Sequence, residues 1–100
     1  MTTKRRPRGG GKGIVNVTFD LPAAVEAREV VLCGDFNEWS ETATKLTRNK
    51  AGVWRVTLPL ETERSYRYRF LIDGKHWEND WKADAYVENR YGTEDSVVNT

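Results

Sequence analysis

Residues 73–81 read DGKHWENDW, and this nonapeptide holds the only histidine of the chain (His76), three acids and two of its four tryptophans. Carboxylates, an imidazole and flat rings in so short a space are the material of a catalytic centre, of a sugar platform or of a decorated hairpin. Glu78 and Asp80 lie two apart, so on a strand they would share a face at about 7 Å, within the separation that inverting glycosidases use. Such a pair needs one carboxyl whose pKa is raised by burial. A hairpin arm of a small domain offers little to desolvate it, so both are expected as solvated surface acids rather than catalysts. His76, just after a turn, is expected to be exposed, and without a GxSxG elbow it has no nucleophile to serve. One histidine and one distant cysteine cannot compose a usual zinc site. The GGGKG near the N-terminus lacks the strand and helix that make a phosphate loop. No catalytic residue, metal or cofactor is therefore expected.

These residues must be positioned by a single domain, since the chain has 100 residues. A chain of this size buries only about two-thirds of the surface that its unfolded form exposes, which favours surface binding over a deep enclosed cleft. The net charge of +1 is unevenly spread: residues 1–12 carry five bases and no acid, leaving 11 bases against 15 acids, a net of −4, for residues 13–100. The basic, glycine-rich segment has too few apolar side chains to offset the entropy of ordering it. Residues 1–13 are expected to form a disordered basic tail and 14–100 the folded domain. A nucleic-acid arm is the other reading of such a tail, but no basic stripe continues it into the folded part, so a solvated terminus is preferred. Cys33 sits in the apolar run VVLCG and reads as a small buried hydrophobe; no disulfide is possible within the chain, which fits a reducing cytosol. No stretch approaches the ~20 apolar residues that span a bilayer, and no apolar segment follows the basic start. A soluble, cytoplasmic protein is expected.

From residue 14 onward apolar residues alternate at period two between turn signals, with no sustained 3.6-residue repeat, so the expected class is all-β. In IVNVTFDL, Val15, Val17, Phe19 and Leu21 share one face, and Pro22 ends the strand. REVVLCG suits an interior strand, TKLTR (44–48) a short one, and AGVWRVTLPL the second arm of a hairpin with Trp54, Val56 and Leu58 on one face. PAAVEAR is too short for a stable helix and reads as a loop or a single turn. SYRYRFLID alternates most clearly: Tyr66, Tyr68, Phe70 and Ile72 point one way and Arg67, Arg69 and Leu71 the other. Asp73-Gly74 is a strong hairpin signal because primed turns need positive φ. A last apolar strand, SVVNT, closes the chain. Six to eight short strands at this spacing imply a sandwich of two antiparallel sheets, immunoglobulin-like.

Trp39, in GDFNEWSE, is not explained by strand alternation, and Trp77 and Trp81 sit among charges, whereas Trp54 falls on a strand's apolar face. Exposed indole faces suit the axial C–H groups of a pyranose while nearby polar side chains meet its hydroxyls. Rings that cover loops or plug the sandwich ends are the equally open alternative at this level.

GDFNEW, the strand YRYRFLIDG with its DG turn, the tryptophan after that turn and the closing YGTEDSVV resemble the family 48 carbohydrate-binding modules, also called isoamylase N-terminal or early-set domains. The similarity runs over about residues 14–98. It implies a non-catalytic module that binds α-1,4-linked glucan (glycogen, starch or maltooligosaccharide), of the kind fused to family 13 glycoside hydrolases and branching enzymes, so a glycogen-metabolising enzyme is an implied partner. Residue by residue, Trp39 and Trp77 match the family's stacking tryptophans. Arg69 stands in place of a hydrogen-bonding lysine, with a planar fork in place of a point charge. Tyr91 takes the position of an apolar residue that leans on the sugar, and Asp95 that of an asparagine, which removes a donor and keeps an acceptor. Trp81 has no such counterpart and is expected to pack. The alternative is a protein-interaction or regulatory subunit on the same sandwich, with Trp39 and Trp77 buried against a partner.

Overall fold

A computed structural model describes the backbone of residues 2–5 together with residues 13–22 and 25–100. The described residues form nine strands: β1 (Thr2–Arg5), β2 (Ile14–Leu21), β3 (Val30–Gly34), β4 (Thr47–Arg48), β5 (Trp54–Glu61), β6 (Ser65–Ile72), β7 (His76–Glu78), β8 (Ala85–Glu88) and β9 (Glu94–Asn99). They make two antiparallel sheets. One has the order β1-β2-β5-β4; in the other the order is β3-β6-β9-β8, with β7 also paired to β6. The result is the expected all-β, immunoglobulin-like sandwich. Among the described residues no helix is long and apolar enough to cross a membrane.

Strand parity builds the core. Val15, Val17, Phe19 and Leu21 of β2 are buried, as are Tyr66, Tyr68, Phe70 and Ile72 of β6, Val30 and Leu32 of β3, Trp54 and Leu60 of β5, and Val98 of β9. Full burial of an aliphatic or Phe side chain contributes about 1.5–3 kcal/mol each, so these rows dominate the stability of the fold. Phe19 and Tyr68 meet edge to face at 4.9 Å between ring centroids, a preferred aromatic geometry.

Two strands lie where the sequence shows little sign of one. β8 has only four residues, AYVE, too few for alternation to register. β1 falls in the segment expected to be a disordered tail, yet Thr2–Arg5 pair with Phe19–Asn16 of β2. A ladder needs backbone donors and acceptors rather than apolar side chains, and the open edge of β2 supplies them. Met1 and residues 6–12, the remainder of that segment apart from Gly13, lie outside the described residues.

The hairpin between β6 and β7 forms at the expected place. Asp73 and Gly74 both have positive φ, at 53° and 68°, and Lys75 N–H donates to the Ile72 carbonyl at 3.1 Å. Pairing resumes at His76 opposite Ile72, so Lys75 belongs to the turn rather than to the returning strand.

Candidate functional site

The residues that β6 does not send inward point out from the five-stranded sheet, and its register gathers them. Leu71 is paired with Val31 on one side and Trp77 on the other, Arg69 with Cys33, and Arg67 with Val97. Val31, Cys33 and Leu71 form a small apolar cluster on this outer face, and Trp39 packs against it. Arg69 lies between the last β9 partner of β6, at Tyr68, and the first β7 partner, at Phe70. The sheet therefore splits beside this arginine.

Trp39 is brought over the face by GDFN. Gly34 is in extended backbone at φ −171°, and a Cβ there would lie 2.6 Å from the Arg67 carbonyl oxygen and 2.9 Å from Tyr68 Cβ. The chain then turns through a 3-10 segment, Asp35–Asn37, and passes through two left-handed residues, Glu38 (φ 56°) and Trp39 (φ 57°). Left-handed backbone costs an L-residue roughly 1–2 kcal/mol, so this turn must be held. Asn37 holds it: its amide donates to the Leu32 carbonyl and to Thr44 Oγ1, and its Oδ1 accepts from Gly34 N–H. Trp39 N–H donates to the Gly34 carbonyl at 2.9 Å, and the indole Nε1–H donates to Asp35 Oδ1 at 3.0 Å. Phe36 anchors the segment in the core, 5.6 Å from Phe19 and 6.0 Å from Tyr66 between ring centroids.

Trp77 rises from β7 with 38 % of its surface exposed, and the Arg69 guanidinium carbon lies 5.7 Å from its ring centroid, a cation–π arrangement. Arg69 Nε is buried and finds no hydrogen-bond partner among the described residues.

The third wall is the loop from β8 to β9, organised by Asn89. Its Oδ1 accepts from Tyr91 N–H and Thr93 N–H, and its amide donates to Thr93 Oγ1 and to Asp95 Oδ1. This lattice presents Tyr91, 77 % exposed, beneath the guanidinium of Arg90 at 5.2 Å, and leaves Asp95 buried at the base of the loop.

These walls enclose an open cleft of about 640 Å³ lined by Trp39, Arg69, Trp77, Tyr91 and Asp95, the residues that the family resemblance assigned to a site. Asp35, Glu41, Arg67, Asn89 and Arg90 complete the lining. The sequence reading omitted them. Arg67 could have been found from its parity with Arg69, whereas Asp35 and Asn89 act through loop hydrogen bonds that no periodicity marks. Cys33 lies under Trp39 and is no nucleophile: burial first, and the Glu41 carboxylate second, push its thiol up to about 11. Among the described residues no group of three or more His, Cys, Asp or Glu is placed to hold a metal ion.

DGKHWENDW is divided by the fold. His76 and Glu78 are exposed as expected, but Asp80 is not a surface acid: it is 1 % exposed. β7 ends at Glu78, so strand spacing no longer applies and the chain turns inward. There Asp80 Oδ2 accepts from Tyr68 OH at 2.6 Å, Oδ1 accepts from Lys82 N–H, and its N–H donates to Ser96 Oγ. Glu78 and Asp80 therefore do not form an acid pair on one face. Trp81, expected to pack, is 69 % exposed, because Asp80 takes the inward position beside it.

Comparison with known proteins agrees with this architecture. A family model described as carbohydrate-binding module 48 (isoamylase N-terminal domain) matches residues 10–87. The chain is similar to the 1,4-alpha-glucan branching enzyme GlgB of Bacillus caldolyticus, 41 % identical over 83 residues that make up 80 % of this chain and 12 % of that protein. The enzyme of the same name from Bacillus cytotoxicus is 32 % identical over 76 residues, 75 % of this chain and 12 % of its own length. That from Aquifex aeolicus is 33 % identical over 72 residues, 70 % and 11 % respectively. The chain thus spans about an eighth of the first two relatives. With a matched model over most of its length and the sandwich that its sequence implied, the chain belongs to the carbohydrate-binding module 48 family, the isoamylase N-terminal domains.

Proposed function

We propose that the cleft on the outer face of the five-stranded sheet binds α-1,4-glucan, as glycogen, starch-like chains or maltooligosaccharide, without chemistry of its own. Trp39 and Trp77 stack pyranose rings, Arg69 donates to hydroxyls, Asp95 accepts from them, and Tyr91 closes one side. The observation that carries this reading is convergence: residues from the segment after β3, from β6, from β7, from the β8–β9 loop and from β9 line one cleft in a member of a carbohydrate-binding family.

The chemistry of the lining suits a sugar. A pyranose offers apolar C–H faces to two indoles and a ring of hydroxyls that both donate and accept, and the cleft presents guanidinium donors beside carboxylate acceptors. Arg69 brings a guanidinium, a fork of N–H donors, to the cleft lining. Asp95 keeps Oδ2 for a ligand after Oδ1 accepts from Asn89. The relatives are 1,4-alpha-glucan branching enzymes by name, in which the matched segment is a small part of the chain. By that likeness, the module's role is to hold a glucan-metabolising enzyme on its polymer.

Native electrophoresis through gels with and without glycogen tests the reading. Retardation by glycogen, abolished in Trp39→Ala and Trp77→Ala while both variants keep the wild-type unfolding midpoint within a few degrees, is the expected result. Equal mobility of wild type with and without glycogen, together with no fluorescence change at millimolar maltoheptaose, would overturn it.

A further inference from the structure

Trp81 lies outside the cleft and is 69 % exposed, yet it stands on a fixed base. On its N-terminal side Asp80 is bound through its carboxylate to Tyr68 and Lys82, through its N–H to Ser96 and through its carbonyl to Tyr86 OH. The Ala83 N–H closes the turn on the Asp80 carbonyl at 3.3 Å. Beside the indole is a groove of about 250 Å³ with apolar walls from Leu21, Pro22 and Val53 and a rim of Asp20, Arg55 and Lys82. It shares no residue with the cleft.

We infer that this groove is a second glucan contact, with Trp81 stacking on a pyranose and Arg55, Lys82 and Asp20 meeting its hydroxyls. The choice of ligand rests on the reading of the cleft as glucan-binding; the existence of the site does not. A protein partner fits less well. A stable interface buries about 800 Å² per partner around several anchors. Among the described residues the other exposed large apolar side chains are Trp77 and Tyr91 in the cleft, Tyr86 at 42 % and Ile14 at 37 %. One ring, an apolar wall and a few charged groups are too little for such an interface and suffice for a sugar ring.

Two contacts on separate surfaces do little for a short oligosaccharide. On a branched polymer the second contact becomes intramolecular, and linked sites of this kind gain avidity of about 10²–10⁴ when geometry allows both to engage.

Titrating maltoheptaose into the ¹⁵N-labelled full chain reads each indole N–H separately. The expected result is that Trp81 shifts together with Trp39 and Trp77. In Trp81→Ala, Trp39 and Trp77 should still shift with the wild-type midpoint, which shows an intact fold, while affinity for glycogen falls roughly ten-fold or more. A Trp81 signal that stays fixed while Trp39 and Trp77 move overturns the groove and leaves the cleft reading intact. Movement of Trp81 alone supports the groove and overturns the cleft reading, and no movement of any indole removes both. Glycogen affinity of Trp81→Ala equal to wild type, or a co-purifying protein released by that variant with no sugar-dependent shift, also overturns the inference.

Discussion

Asp35 grips Trp39: one carboxylate oxygen accepts the indole Nε1–H at 3.0 Å and the other accepts the Arg67 backbone N–H at 2.9 Å. One side chain thus ties the ring to the strand beneath it. Hydrogen bonds to a charged group contribute about 1.5–3 kcal/mol when protected and less in water. Asp35→Ala should let the indole turn and lower glycogen affinity by roughly ten-fold, more than it lowers stability, because positioning a stacking ring is the larger part of its role. Calorimetric titration reads the affinity and the Trp39 indole resonance reads the ring. An unmoved indole resonance with unchanged affinity would deny Asp35 this role.

Gly34→Ala should damage the same segment from below. Its backbone is extended, so the cost is one of space: the new methyl would lie 2.6 Å from the Arg67 carbonyl oxygen, 2.8 Å from Phe36 and 2.9 Å from Tyr68 Cβ. Overpacking of this kind costs about 1–3 kcal/mol, and two of the three neighbours are backbone or Cβ atoms that cannot swing away. Urea unfolding measures the loss, and a midpoint within error of wild type would contradict the geometry.

Parity made β6 the most legible strand. The alternation that buries Tyr66, Tyr68, Phe70 and Ile72 necessarily puts Arg67, Arg69 and Leu71 on the other face, and that face carries the cleft. Trp39, Tyr91 and Asp95 could not be joined to it by spacing; the family resemblance named them, and long-range register brought them together. Asp80 and Trp81 escaped because β7 stops at Glu78, after which inward and outward are set by Tyr68 and Ser96, residues 12 and 16 positions away. Asp35 and Asn89 escaped for the related reason that they work from loops through hydrogen bonds to backbone N–H groups and to other side chains alike. Such bonds depend on where the backbone passes, and no local pattern encodes that.

Tyr68→Phe should expose what Asp80 contributes. The substitution removes the hydroxyl that donates to Asp80 Oδ2 at 2.6 Å in a buried setting, at an expected cost of about 1–3 kcal/mol. Glycogen affinity should stay within about two-fold, since neither residue lines the cleft and the backbone bonds of Asp80 to Ser96 and Tyr86, which hold the base of Trp81 at the groove, are left in place. Parallel urea unfolding and affinity electrophoresis separate the two effects; a large loss of affinity at wild-type stability would tie Asp80 to binding instead.

Cys33 should resist alkylation in the native state. With its thiol pushed up to about 11, roughly one molecule in a thousand carries the reactive thiolate at pH 8. Iodoacetamide labelling followed by mass spectrometry should be slow without denaturant and complete within minutes in urea. Rapid native labelling would mean that Trp39 does not cover this position.

Asp73 links the hairpin to the loop before β3, and its charge makes that link depend on pH. Its Oδ1 accepts from the backbone N–H groups of Arg28 at 2.7 Å and Glu29 at 2.9 Å, and these bonds, the Glu29 one foremost, hold the carboxyl below the usual carboxylate range. A depressed folded pKa means that the contribution is complete above the ordinary value, near 4, and is lost as pH falls through that value and the lower folded one. Asp73→Asn keeps an acceptor oxygen and tolerates the positive φ, so it removes chiefly the charge. The variant should be less stable than wild type at pH 7, with the difference in melting temperature closing as pH is taken below about 4. A difference that stays constant from neutral to strongly acid pH would show that the carboxylate's ionisation plays no part in holding the loop.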